Sequence, residues 1–297
     1  MIEQILASAF AGLAIGICSG LLGIGGGTVM VPIFRLAFGM SAVASTATSL
    51  FTIIPTSISG AVTHVRGKTC IPRLGAAMGL AGALTSPAGV WLAQVSPPWA
   101  VMLVAALIIS YSAVKMLGKS LVTDSRSGRS REDATGRVAQ PAASAPAGAA
   151  AASSPTAEAD GGAAEGVAAP KLSGRQLALG ALIGLGAGLA SGYVGVGGGF
   201  IMVPLMLAFL GIPLKLASGT SLLAVMLLAV PGTIEQGLLG NIDYLAGIVV
   251  ALGSVPGAFI GARLVSRVPE RTLRLIFGGF LLVAALLLVL KETGVLG

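Results

Sequence analysis

The sequence predicts an all-α polytopic membrane protein made of two homologous halves, the second inverted relative to the first. Each half holds four long spans and one short helix interrupted by Gly and Pro. Three observations carry this. The chain is 55% hydrophobic and only 10% charged, against about a quarter charged in ordinary soluble domains. Long stretches run without a charge, at Ile5–Phe34, Leu36–Thr63, Leu74–Val114, Gln176–Leu214 and Leu216–Ile234, and a spanning helix needs about 20 mostly apolar residues. Finally, SGLLGIGGGTVMVP from Ser19 returns as SGYVGVGGGFIMVP from Ser191, an offset of 172 residues. The same offset carries Ala47-Thr48-Ser49-Leu50 onto Gly219-Thr220-Ser221-Leu222, Gly60 onto Gly232 and Pro97 onto Pro269. Such duplication places a site where the halves meet. A β-barrel would show alternating segments of about 10 residues, and none is present.

In the first half the long segments run over 3–22, 41–63, 71–93 and 98–117. In the second they run over 174–193, 213–236, 243–265 and 271–291. The short ones, 25–39 and 197–211, each follow a Gly triplet and carry Pro32 or Pro204. They read either as half-helices or as short spans buried in protein. Met1-Ile2-Glu3 has no basic stretch and reads as part of the first span. Residues 118–172 break the pattern, first polar and basic, then nearly all Ala, Pro, Ser and Gly. Such a composition buries no core, so it is expected to be a disordered cytoplasmic linker between repeats 1–117 and 173–297.

The net charge of +7 does not signal nucleic-acid binding, because the basic residues sit in short loops and the linker. His64-Val65-Arg66-Gly67-Lys68 with Arg73 is basic, while its counterpart, Glu235 to Asp243, has two acids and no Lys or Arg. Conversely, the loop Gln94–Trp99 is uncharged and its counterpart carries Arg263, Arg267, Arg271 and Arg274. If the short segments cross, the second half is inverted and every basic loop falls on the cytoplasmic side. If they re-enter, each half has four parallel crossings and the Arg-rich loop falls outside. Charge favours the inverted reading; the segments alone do not decide it. Cys18 and Cys70 read as free buried thiols.

Gly25-Gly26-Gly27 and Gly197-Gly198-Gly199 expose backbone N–H groups and allow sharp bends. A helix starting there points the positive end of its dipole at the bend. Two facing ends would bind an anion without Lys or Arg; otherwise the glycines serve only close helix packing. Thr48-Ser49 and Thr220-Ser221 are candidate hydroxyl donors to the same anion, or bond their own helices.

The pattern GxGGGxxMVP, then (A/G)TSL, then SGAVTHVRG, with a late block from Gly240-Asn241-Ile242-Asp243 through Gly257-Ala258-Phe259-Ile260-Gly261-Ala262-Arg263-Leu264 and Pro269, resembles the TauE/SafE family. These are sulfite exporters and related anion permeases, formerly a domain of unknown function. The resemblance covers nearly the whole chain except the linker. It implies transport of sulfite, a sulfonate or another small sulfur-containing anion across a bacterial inner membrane. The partners it implies are the anion, the lipid bilayer and, in a homo-oligomer, further copies of the chain.

Three ionisable residues are candidates for a charge or proton role. His64 is the only histidine; it carries or senses a proton, or is a loop residue at the interface. Its counterpart is Gln236. Glu235 ends a span, as a protonatable group or an interfacial one. Arg35 lies inside an apolar short segment, in the site or snorkelling to an interface. Lys215 marks a segment edge; Trp91, Trp99 and Tyr244 read as interfacial anchors. There is no HExxH, P-loop, paired Asp motif or Cys-x-x-Cys, so no enzyme, cofactor or metal is expected. The leading reading is a secondary transporter exporting the anion down an inside-negative potential. The alternatives are a proton-coupled permease importing an organosulfur acid, using His64 or Glu235, and an intramembrane enzyme or assembly factor.

Overall fold

The computed structural model describes residues 2–104, 106–107, 110–111 and 173–292; the expected linker at 118–172 lies outside them. All regular structure among the described residues is helical. The helices are α1 (Ile2–Leu22), α2 (Gly27–Leu36), α3 (Ala42–Arg66), α4 (Pro72–Val95), α5 (98–104, with 106–107 and 110–111), α6 (Gly174–Val194), α7 (Gly199–Leu205), α8 (Leu214–Leu238), α9 (Tyr244–Leu264) and α10 (Glu270–Glu292). A π-helical turn, Met206–Leu210, extends α7. Local chemistry sets the boundaries. Ser41 accepts from Ala44 N, and Asp243 from Ala246 N, as N-caps do. Pro72 opens α4, where a missing N–H costs nothing. Gly195 ends α6 with φ 73°.

Among the described residues five helices are long and apolar enough to cross a membrane, by length and composition: α3, α4, α6, α8 and α9. The 10 residues of α2 rise only about 15 Å, half of a hydrocarbon core of about 30 Å. Polarity is distributed as lipid requires. Leu84, Leu182, Leu245 and Leu252 are exposed, whereas Thr48, Ser49, Thr52, Thr56 and Ser57 are fully buried. Inside a bilayer, polar groups must find partners within the protein.

The two halves interlock. Helix α1 packs on α9 and α6 on α4, while α3 and α8 cross at the centre. Glycine faces make the outer pairs close. A Cβ on Gly12, Gly16 or Gly20 would overlap the carbonyls of Val250, Ser254 or Ala258. Shifted by 172 residues, Gly184, Gly188 and Gly192 stand against Met78, Gly82 and Ser86. Small residues let membrane helices approach backbone to backbone. Gly60, late in α3, faces Leu222, early in α8; Gly232, late in α8, faces Leu50, early in α3. The two central helices therefore run in opposite directions.

Candidate functional site

The Gly triplets bend the chain because their backbone leaves the region open to other residues. Gly25 and Gly26 have φ 79° and 85°, and Gly197 and Gly198 have 81° and 69°. Such left-handed conformations favour glycine. Helix α2 then begins at Gly27 with no side-chain cap, so its first N–H groups, the positive end of the dipole, point into the bend.

The two breaks meet. A Cβ on Gly27 would press on Val196 O and Ile53 Cδ1 at 2.5 and 2.6 Å, and one on Gly199 on Gly23 O and Ile24 O at 2.5 and 2.9 Å. Gly25 and Gly197 both lie against Ile53 and Val225, residues near the middle of α3 and α8. The breaks thus sit at mid-height of the longest helices. They are tightly packed, with no room for a methyl group at Gly27 or Gly199.

Three hydroxyls bordering this region, Ser19, Thr28 and Ser57, are buried with no hydrogen-bond partner, as are Ser49 and Ser191 elsewhere on α3 and α6. Ser57 Oγ lies 3.3 Å from where a Gly25 Cβ would be, and Ser19 Cβ is 3.5 Å from that of Gly26. Thr28 is in the first turn of α2. A partnerless buried hydroxyl costs about 1–3 kcal/mol. Ser19 and Ser191 share the 172-residue offset and open each signature. Ser57 is opposite Ala229, so duplication gave no signal for it.

The other sequence candidates separate. Thr48 and Thr220 hold backbone. Asp243 N donates to Thr48 Oγ1 at 3.0 Å and Ile71 N to Thr220 Oγ1 at 2.9 Å; Thr220 in turn donates to Leu216 O. Ser221 donates to Gly23 O at 2.6 Å, tying α8 to the first break. His64 is not a loop residue at an interface. It is fully buried in the last turn of α3. Its Nε2 donates to Gly20 O at 2.9 Å, and Nδ1 lies 2.7 Å from the Thr69 hydroxyl. Gln236, its counterpart, is also buried and accepts from Gln94 and Asn241. Glu235 is half-buried with Oε2 unpartnered, away from the breaks in the last turn of α8. Arg35 is in the last turn of α2. Lys215 is the second residue of α8 and donates to Ser266 O. Trp91, Trp99 and Tyr244 are exposed near helix ends. Among the described residues no three His, Cys, Asp or Glu side chains converge as a metal site would require.

Residues 8–288 match the family described as "Sulfite exporter TauE/SafE". The chain is 30% identical over 117 residues to "Probable membrane transporter protein YunE" of Bacillus subtilis (strain 168), covering 37% of this chain and 43% of that protein. It is 30% identical over 104 residues to "Probable membrane transporter protein YdhB" of the same strain, covering 35% and 42%. It is 38% identical over 120 residues to "Probable membrane transporter protein MamO" of Magnetospirillum gryphiswaldense, covering 36% and 19%. The matched stretch spans at most about two-fifths of these relatives. No solved structure matches the chain.

Proposed function

The chain belongs to the TauE/SafE family, and from that premise we propose that it is a secondary transporter exporting sulfite or a related small sulfur-containing anion across the bacterial inner membrane. One observation carries the site. Two glycine breaks abut at mid-height of α3 and α8, bordered by partnerless hydroxyls. Discontinuous helices meeting at the midplane of a repeat interface are where secondary transporters bind substrate. The N-terminus of α2 supplies about half a positive charge, and Ser57, Ser49, Ser19 and Thr28 supply donors. The site carries no formal charge, so an anion is neutralised only partly and can leave. The packed breaks are an occluded conformation that must open for substrate to enter.

The same contacts support a topology. His64 bonds Gly20, so α1 and α3 end near each other, and the chain between them must travel back. The first glycine turn and α2 make that return. That return supports five crossings in each half, and the opposed directions of α3 and α8 support inversion. The ends of α3 and α9 share one cavity lined by Arg66 and Arg263, so the adjoining segments that carry Lys68, Arg73, Arg267 and Arg271 fall at the same end, the cytoplasmic one by charge. The linker at 118–172 joins the halves on that side.

Energetics favour export without a coupling ion. An inside-negative potential drives each negative charge outward by about 2.3 kcal/mol per 100 mV. The test is flux in proteoliposomes under an imposed potential, with sulfite, thiosulfate, sulfonates and chloride compared. Sulfite efflux that rises with potential and ignores a pH gradient supports the reading. Import driven by a pH gradient alone replaces it with a proton-coupled permease, and no flux of any sulfur anion sinks it.

A further inference from the structure

At the ends of α3 and α9 lies a cavity of about 320 Å³. Arg66 and Thr69 line it from the α3 side; Phe259, Ala262, Arg263 and Ser266 line it from the α9 side. It joins the ends of two sequence motifs that the glycine-break site does not use. Among the described residues no carboxylate lines it. The Arg263 guanidinium lies 4.0 Å over the Phe259 ring. Stacking fixes the plane of the guanidinium and leaves its N–H edge free to pair with two oxygens of an oxyanion. The hydroxyls are already committed: Thr63 donates to Ser59 O, Ser266 to Arg263 O, and Thr69 is held by His64. The free donors are therefore the two guanidiniums.

The repeat supplies an internal control. The offset of 172 residues carries Arg66 onto Leu238, Arg263 onto Trp91, Thr69 onto Asn241 and Ser266 onto Gln94. At that second niche Gln94 and Asn241 both donate to Gln236, at 3.4 and 2.7 Å, and Leu238 and Trp91 are exposed. One niche is bridged by neutral amides; its twin is open and cationic. The niches close equivalent pairs of helix ends, α3 with α9 and α8 with α4, so packing alone does not call for the arginines.

We propose that the Arg66–Arg263 cavity binds a sulfonate, sulfate or phosphate oxyanion bearing a small organic group. The volume exceeds what one inorganic anion fills, a water occupying about 30 Å³, and Phe259 and Ala262 offer apolar wall to the remainder. Two sources present this chemistry: a soluble organic anion captured before it reaches the glycine breaks, and the headgroup of an anionic lipid. The capture role rests on the proposed transport; the binding does not.

The test is calorimetric titration of the purified full chain in phosphatidylcholine nanodiscs with methanesulfonate and with sulfate. Saturable binding is expected. Arg66→Gln and Arg263→Gln should each weaken it at least tenfold, and Arg263→Lys should fall between, because an ammonium keeps charge and loses the fork. Both arginines are exposed, so these variants fold, as size-exclusion profiles check. In nanodiscs containing phosphatidylglycerol, a soluble-anion site keeps its affinity. A headgroup site loses methanesulfonate binding and retains phosphatidylglycerol in native mass spectra, and the double Gln variant releases it. If the double Gln variant binds both probes and lipid as the parent does, or if the parent binds none of them, the proposal is overturned. Gly25→Ala separates the two readings: it should bind methanesulfonate normally while losing transport. Normal binding with normal transport would leave the cavity standing and remove the glycine-break site.

Discussion

Asp243 and Thr48 are joined across the halves by a hydrogen bond of 3.0 Å, and the repeat offset maps that bond onto Ile71 and Thr220 at 2.9 Å. In each case a threonine early in a central helix receives the N–H of the residue that precedes α9 or α4. The bond anchors a helix start that the opposite half could not otherwise satisfy. Thr48→Val and Thr220→Val keep the shape and remove the acceptor. Each should destabilise by about 1–3 kcal/mol, the cost of an unpaired buried N–H, with the Michaelis constant for sulfite unchanged. Thr→Ser at either position should restore stability. Thermal unfolding and flux on the same preparations check this; lowered affinity at parental stability would return these hydroxyls to the substrate.

Ser57 should behave in the opposite way. Its hydroxyl has no partner, so Ser57→Ala removes a desolvated group at no loss of bonding. Stability should hold or rise by up to about 1 kcal/mol, while transport affinity falls several-fold. Flux measured over a concentration series decides, and an unaltered Michaelis constant excludes Ser57 from the site.

Gly25→Ala and Gly197→Ala place a methyl group 2.8 Å from Val225 Cγ1 and 3.0 Å from Ile53 Cδ1. Transport should drop more than tenfold. Gly39→Ala is the control. It has φ 63° and nothing within 4 Å of an added methyl group, so it bears the same left-handed backbone strain, roughly 1–2 kcal/mol, without touching the crossing. Equal losses at Gly39 and Gly25 would show that strain alone, and not the meeting of the breaks, accounts for the effect.

His64→Gln installs the residue found at the equivalent position, Gln236. An amide can still donate to Gly20 O, so potential-driven efflux should stay within about a factor of two of the parent from pH 6 to pH 8. His64→Ala takes the ring N–H away from the buried Gly20 carbonyl and should lower the unfolding temperature clearly. A pH profile that flattens in His64→Gln would instead give His64 a proton-carrying role.

Cysteines introduced at positions 67 and 268, in a background without Cys18 and Cys70, should react with a membrane-impermeant reagent only from the cytoplasmic side. Native Cys70 lies in the first of these loops, and burial raises its thiol pKa, so at pH 8 its thiolate fraction, and its labelling, should fall below those of an exposed cysteine. Labelling of position 268 from outside intact cells contradicts the inverted arrangement.

Much of this architecture is legible in the sequence because lipid imposes simple rules. The charge-free stretches mark the helices to within a few residues: 41–63 corresponds to Ala42–Arg66, and 213–236 to Leu214–Leu238. The triplets at Gly25 and Gly197 mark the breaks because a fixed offset isolates constrained positions from the abundant glycines around them. Which partner each polar group chooses is not written along the chain. Thr48 and Ser57 look alike there, both hydroxyls on one helix. Only the fold shows that one meets Asp243 N and the other meets nothing. His64, next to Arg66 and Lys68, reads as part of a wet loop. Helix α3 runs on far enough to pull its ring inward against Gly20 O, while the arginine two residues later stays outside.

The pairing of α1 with α9 and of α6 with α4 has a consequence for how the protein is made. The glycine face of α1 leaves the ribosome long before its carbonyl-lined seat on α9. Through most of translation, the first half sits in the bilayer with its closest contact missing. It must be held by lipid or by the insertion machinery until the second half arrives. Each half is expected to depend on the other for its closest helix contact.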